Sequence, residues 1–404
     1  MYLLQCVLEN NFPTCFTDYF YISLLESNTY MNIFPTDKSN ILSKLNSIDP
    51  IQYGKTRNYI DGKITYLSPY ISRGILTTKQ VFNHIIKQSY SWNEIEIFVK
   101  ELAWRDFFQS QWKYLSHTIN DDIKQPQKDV VNHLIPTSIV NVHTGIDSID
   151  EAIKLLYSSG YMHNHCRMYT ASLVCNFAHS HWKYPAKWMY YYLLDADWAS
   201  NACSWQWVAG SFSSKQYIIN QENINRYTHS DQKNTFLDMP YELLPVNSIP
   251  ESLKDTIQLD LHTILPESTA NFSIDVTVPT LLYNWYNIDY SWHNDIAANR
   301  ILLIEPSIFK EYPIGSLSMN FLLNLAKNID GIQVFVGEFS DLYPLIKETR
   351  IIYKEHPLNK YNGFEESREW MVPVHDRYFG SFFSYWKYIE PFLYALFEDE
   401  IKNR

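Results

Sequence analysis

Glycine is scarce in this chain, at 11 of 404 residues, where a share of about 7% is usual. A nucleotide site built from a Gly-rich loop needs backbone that approaches phosphate closely. Neither G-x-G-x-x-G nor G-x-x-x-x-G-K-[ST] occurs. Any nucleotide bound here must be held by another device, such as a helix N-terminus with free N–H groups and a favourable dipole. Aromatic residues lie at the opposite extreme: 12 Trp, 31 Tyr and 22 Phe make up 16% of the chain. Hydrophobic residues at 46% and charged residues at 19% exclude a disordered or fibrous chain. The length calls for two or three domains.

The net charge of −11 argues against nucleic acid only until it is divided along the chain. Residues 1–40 carry −3, residues 41–230 carry +3 and residues 231–404 carry −11. Only the middle segment can sit comfortably beside phosphates. Five cysteines (Cys6, Cys15, Cys166, Cys175 and Cys203) form no C-x-x-C pair, and the odd number fits a reducing cytoplasm better than a disulfide scaffold or a metal cluster. No apolar run reaches the 18 or so residues of a membrane span. The N-terminus carries no basic region of the secretory kind.

The patterning predicts a mainly α chain with a small α/β unit after it. Residues 1–40 read as an N-terminal extension, 41–235 as a helical domain, 236–290 as an irregular connection and 291–404 as a small α/β, Rossmann-like domain ending in a helix. Ser68-Pro69 reads as an N-cap followed by proline at the first helical position. Ser91 to Glu94 and Ser148 to Glu151 read as capping boxes. Gly160 closes the second of these helices, a further helix is expected over 162–181, and Pro185 can start the next. Arg300 to Glu305, Ile332 to Val336 and Arg350 to Tyr353 read as buried strands separated by helical stretches, which implies a parallel sheet. A final helix is expected over about 377–399.

Four blocks carry chemistry. In Asp195 to Trp207, residues Asp197, Asn201 and Trp205 are spaced i, i+4, i+8 and share one helix face. Two carboxylates, an amide and an indole are costly to bury without partners. A planar heterocycle with imide donors and acceptors would satisfy them, and so would a helix end capped by the carboxylates. In His163 to Met168, Asn164, Arg167 and Met168 share a face; Met168 also reads as core and Arg167 as a solvated cation. In Glu101 to Asp106, Glu101 faces Trp104 and Arg105, which alone reads as an ordinary ion pair of a few tenths of a kcal/mol. Thr65 to Tyr70 forms a hydroxyl-bearing helix start suited to phosphate.

Taken in order, these blocks resemble the FAD-binding helical domain of the photolyase/cryptochrome family. The resemblance runs from about Phe34 to Trp207. Residues 48–74 resemble the family's Tyr…Arg…Thr-x-Leu-Ser-Pro-Tyr region, and ELAWRDFF (101–108) its Glu-Leu-x-Trp-Arg-Glu helix. TGIDSIDEAIKLLYSSGYMHNHCRM (144–168) is similar to its Thr-Gly…Met-His-Asn-Arg-x-Arg-Met block. LLDADWASNACSWQW (193–207) is similar to its Asp-x-Asp…Asn-x-x-x-Trp-x-Trp signature. The arrangement looks like the short photolyase-related proteins of bacteria that lack the N-terminal antenna domain.

The resemblance implies a buried FAD. Tyr53, Thr65, Ser68 and Arg105 would hold its phosphates. Asn164, Arg167, Asp195 and Asp197 would surround the isoalloxazine and adenine side, with Asn201 facing flavin N5. Trp205 and Trp182 would relay electrons for photoreduction. Trp104 and Trp207 would form an aromatic wedge around a flipped thymine dimer, Glu101 would hydrogen-bond the thymines, and Met168 would line the pocket. The function so implied is light-driven repair of cyclobutane pyrimidine dimers in DNA, by electron transfer from reduced FAD. The alternative is a cryptochrome-like blue-light receptor without repair. The small positive charge of the middle segment suits a single-stranded or weakly held DNA. The chain departs from the family pattern at His165, where Arg is common, and at Phe98, where Trp is common. The third relay tryptophan is missing too, since no Trp lies between Trp112 and Thr144.

Overall fold

The computed structural model describes residues 33–373 and 377–404. Most of the expected N-terminal extension, residues 1–32, lies outside the described residues. From Lys38 to Thr228 the chain is helical, interrupted by one two-residue strand, Ile135–Pro136. The longest helix there, Trp92–Leu115, opens on a box in which the Glu94 carboxylate accepts from the Ser91 amide at 2.8 Å and from its hydroxyl at 2.9 Å. That box was legible in the sequence.

Two other predicted helix starts differ. The Ser68–Ser72 helix has Leu67 at its N-cap and no side-chain cap, so Ser68 is already inside the first turn. The Asp147–Ser159 helix starts after Ile146, and Ser148 does not cap it. Its hydroxyl instead lies 2.9 Å from the Thr228 hydroxyl, while Asp150 accepts from the amide and hydroxyl of Thr144 at 2.9 and 2.8 Å. Tertiary partners outcompete the local box. Gly160 ends this helix as expected, at φ +69°, where a Cβ would come within 2.6 Å of Leu194 Cγ. The helix expected over 162–181 is regular only for Asn164–Ser172 and then widens into a π turn over Leu173–Phe177.

The C-terminal half carries a five-stranded parallel sheet. Its strands are β3 (Thr280–Tyr283), β4 (Asn299–Ile304), β5 (Ile332–Val336), β6 (Ile351–Lys354) and β7 (Phe364–Glu366), after the short ladder of β1 (Ile135–Pro136) and β2 (Thr256–Ile257). The spatial order is β5-β4-β3-β6-β7, so the winding reverses between β3 and β6. β4, β5 and β6 coincide with the three strands read from sequence. β3, the central strand, was missed and lies within the stretch read as an irregular connection. The C-terminal helix is Phe382–Lys402.

Side chains alternate across the sheet with the period of two that a strand imposes. Leu281, Tyr283, Leu302 and Ile304 face a continuous core that runs from Phe34 to Phe397, whereas Leu282, Ile301 and Leu303 join Leu342 and Ile346 on the far face. The helical half and one face of the sheet therefore bury apolar surface against each other, the dominant favourable contribution to folding.

Among the described residues no helix is long and apolar enough to cross a membrane.

Candidate flavin cavity

A cavity of about 480 Å³ opens among the helices, within the roughly 300–1,000 Å³ of cofactor clefts. The Pro50–Thr56 helix brings Tyr53 to it, and the Thr65 to Ser68 turn supplies two hydroxyls. The Trp92–Leu115 helix contributes Glu101, Trp104 and Arg105 at the i, i+3, i+4 spacing. Asn164, Arg167 and Met168 come from the next face, Asp195 and Asp197 from the turn after it. Asn201, Trp205 and Trp207 project from the Trp198–Ala209 helix. Thus the structure brings together every predicted site residue except Trp182. That residue is fully buried elsewhere, with its indole N–H donated to the Asp122 carboxylate at 2.8 Å.

Three ion pairs ring the cavity: Arg167 to Asp195 at 2.9 Å, Arg57 to Glu101 at 3.2 Å and Arg105 to Asp197 at 3.4 Å. The i, i+4 pair of Glu101 with Arg105 read from the sequence does not form; each finds a more distant partner. Burial pushes the Asp195 carboxyl up, but the Arg167 and Arg105 charges outweigh it and hold the group below its ordinary value. At Glu101 the balance is reversed. Burial raises its pKa, and the Arg57 charge and hydrogen bond only partly oppose the rise. His163 and His165 are lowered to about 4 by burial and by neighbouring positive charge.

The turn that aims Asp195 and Asp197 into one space is strained, with Ala196 at φ +21°. Arg73, fully buried, holds it. Its guanidinium donates to the carbonyls of Asp195 at 2.7 Å, Ala196 at 3.2 Å and Leu194 at 3.4 Å, and to Trp285 O at 2.9 Å. It also lies 3.3 Å over the Trp285 ring. Asp197 then caps its helix by accepting from the Ser200 amide at 3.1 Å. The helix-capping reading of this block therefore holds, and the same carboxylate lines the cavity.

Several residues the sequence reading assigned no role belong to this arrangement. Arg57 lies in the Tyr…Arg region and is the partner of Glu101. Arg73 carried no signal, because its function depends on a fold contact with Trp285. Gln109 lies two turns beyond Glu101 on the same helix, and a helical projection would have brought it near.

A second cavity of about 330 Å³ lies at the carboxyl edge of the sheet, where the winding reverses. It is lined by Asn284 and Asn287 after β3 and by Glu355 and His356 after β6, and it shares Arg105 and Asp197 with the first cavity.

Residues 98–239 match the FAD binding domain of DNA photolyase. The chain is 31% identical over 146 residues to a deoxyribodipyrimidine photo-lyase of Alkalihalophilus pseudofirmus, a match over 35% of this chain and 30% of the relative. It is 28% identical over 189 residues to that of Agrobacterium fabrum, over 41% and 37% of the two chains. Cryptochrome-1 of Arabidopsis thaliana is 23% identical over 193 residues, 43% of this chain and 27% of the relative. A bacterial class III photolyase structure from Agrobacterium tumefaciens superposes with a TM-score of 0.43 at 20% identity, over 56% of this chain and 54% of that one. The chain thus spans about a third of the length of the first curated relatives it matches. The domain over residues 98–239 is thus of the photolyase FAD-binding kind, with FAD as the cofactor that this match supports.

Proposed function

We propose that this protein is a light-driven DNA repair enzyme that splits cyclobutane pyrimidine dimers. One observation carries the reading: Glu101, Trp104, Met168, Asn201 and Trp207 line the same cavity as the residues expected to hold FAD. A pure light sensor has no need of a cleft that pairs stacking rings with a carboxyl group.

The residues present fit FAD. Three cations and three carboxylates give the cavity both donors and acceptors. Arg105 Nε, Ser200 Oγ and Trp205 Nε1 are buried there without a protein partner, a cost that a polar cofactor removes. Bound here and reduced, FAD supplies the light-driven electron that opens the dimer and receives it back. In the proposed arrangement Arg105, Tyr53, Thr65 and Ser68 bind its phosphates. Asn164, Arg167, Asp195, Asp197 and Asn201 orient its rings, and Trp205 passes electrons in from Trp182. Trp104 and Trp207 each offer a ring for a flipped base, whose face every base can supply. Glu101, held by Arg57, hydrogen-bonds the thymines and steadies the charge that develops there.

The partner is DNA carrying pyrimidine dimers. Single-stranded DNA suits a chain with so few spare cations, because affinity for duplex rests on phosphate neutralisation. We place the protein in the cytoplasm, where Cys166, Cys175 and Cys203, all buried and free, stay reduced. The division into a helical domain over 41–235 and an α/β domain over 291–404 belongs to the same reading.

The test is to reduce the flavin of the purified protein and illuminate it with oligonucleotides containing thymine dimers. Loss of the dimers supports repair. No repair of single- or double-stranded substrate, with normal flavin photoreduction, would replace this reading with that of a cryptochrome-like receptor.

A further inference from the structure

The ring of Trp104 is stacked face to face on Phe382, with centroids 3.7 Å apart and planes 9° from parallel. Phe382 comes from the C-terminal helix, far outside residues 98–239 that match the family's FAD binding domain. It is itself fixed. It sits in the first turn of a helix whose Ser381 cap accepts from the Ser384 amide, it is 4% exposed, and its ring meets Phe107 edge-on at 5.9 Å and Trp386 at 6.3 Å. Lys100 in turn lies over Trp386.

An indole has two faces. Phe382 covers one, and the cavity that Trp104 lines with Glu101 and Met168 leaves a side for a ligand. Trp207 has no such stacked partner; Tyr217 lies beside it at 5.6 Å with the planes tilted by 36°. The backing of Trp104 is supplied by the C-terminal helix.

We infer that Phe382 is a positioning residue for lesion recognition: it locks the Trp104 ring so that a single face is presented to one base of the dimer. This rests on the repair reading above. A stacked pair holds an aromatic more tightly than apolar packing alone, so the planar face of Phe382, and not only its volume, is what the site uses.

The test uses the full chain loaded with FAD and measures its affinity for a single-stranded oligonucleotide with one thymine dimer and for the undamaged strand. Phe382→Leu, which keeps apolar volume but lacks a ring, is expected to weaken dimer binding by about three- to ten-fold while leaving the undamaged strand and the flavin content unchanged. Phe382→Tyr restores the face and should bind as the native protein does. If Phe382→Leu fails to retain FAD, Phe382→Met serves in its place. Dimer affinity unchanged by loss of the ring, in a protein where Trp104→Leu weakens it, overturns the role of Phe382 and leaves the repair reading standing. A native protein that does not distinguish the dimer from the undamaged strand overturns both.

Discussion

Gln109 donates its side-chain amide to Asp197 at 2.7 Å, and Arg368 donates to the Gln109 carbonyl oxygen at 2.8 Å. A residue that follows the last strand of the sheet thereby reaches, through one buried amide, a carboxylate of the flavin cavity. The second cavity touches the same Asp197, so the two spaces are separated by this line of polar groups.

Replacing Gln109 by Leu removes the donor to Asp197 and strands Arg368 at once. A hydrogen bond to a charged group contributes about 1.5–3 kcal/mol, so FAD should bind about ten-fold more weakly or worse. Fluorescence titration of the apoprotein measures this. Unchanged affinity would mean that the line serves packing alone.

Glu101→Ala should lower the repair yield by about ten-fold or more, on the same scale of a hydrogen bond to a charged group, and leave FAD bound. Loss of flavin in that variant would show that Glu101 holds the cofactor instead. Arg57→Ala removes the opposing positive charge, so the Glu101 carboxyl should rise further above its ordinary range. Its titration, followed by difference infrared spectroscopy, should shift to higher pH.

Arg73→Met removes a buried cation that satisfies four carbonyls. Each buried carbonyl left without a donor costs about 1–3 kcal/mol, and the Ala196 turn loses its clamp. Both the melting temperature and FAD retention should fall. Arg73→Lys keeps the charge without the fork and should recover only part of either.

His163 and His165 titrate at about 4 in the folded protein and at about 6.5 when unfolded. Between those values the unfolded chain binds more protons, so stability falls as pH drops from about 6.5 towards 4. Each group contributes at most about 1.4 kcal/mol per pH unit. Asp195, depressed in the folded state, adds a loss only below its unfolded value near 3.9. Urea melts at stepped pH should show the histidine slope, and His163→Gln should flatten it; an unchanged slope would mean that the ring is charged in the native state.

The cavity was legible because it is built from helix faces. Asp197, Asn201 and Trp205 share a stripe whatever else the chain does, and so do Asn164, Arg167 and Met168. The longer-range partners were not legible. Glu101 pairs with Arg57, 44 residues away, and not with Arg105 one turn on, a choice made by the packing of two helices. Strand β3 is only four residues long, and nothing in its local pattern distinguishes a central strand from an apolar piece of loop. The Ser148 box failed for the opposite reason: its local chemistry was right, and Thr228 competed for the hydroxyl.

The sequence distance between partners in this site has a consequence for the order of events in synthesis. Arg73 reaches Trp285, 212 residues later, and Gln109 is reached by Arg368, 259 residues later. A nascent chain lengthens by about 5–20 residues per second, so the ribosome is still adding the sheet while the helices around the cavity already exist. For tens of seconds the helical half can make its own bonds to Asp195 and Asp197, from Arg73, Arg105, Gln109 and Arg167, while the contacts of Trp285 with Arg73 and of Arg368 with Gln109 are still to come. The full set of supports around the cavity is therefore complete only after the sheet has been synthesised.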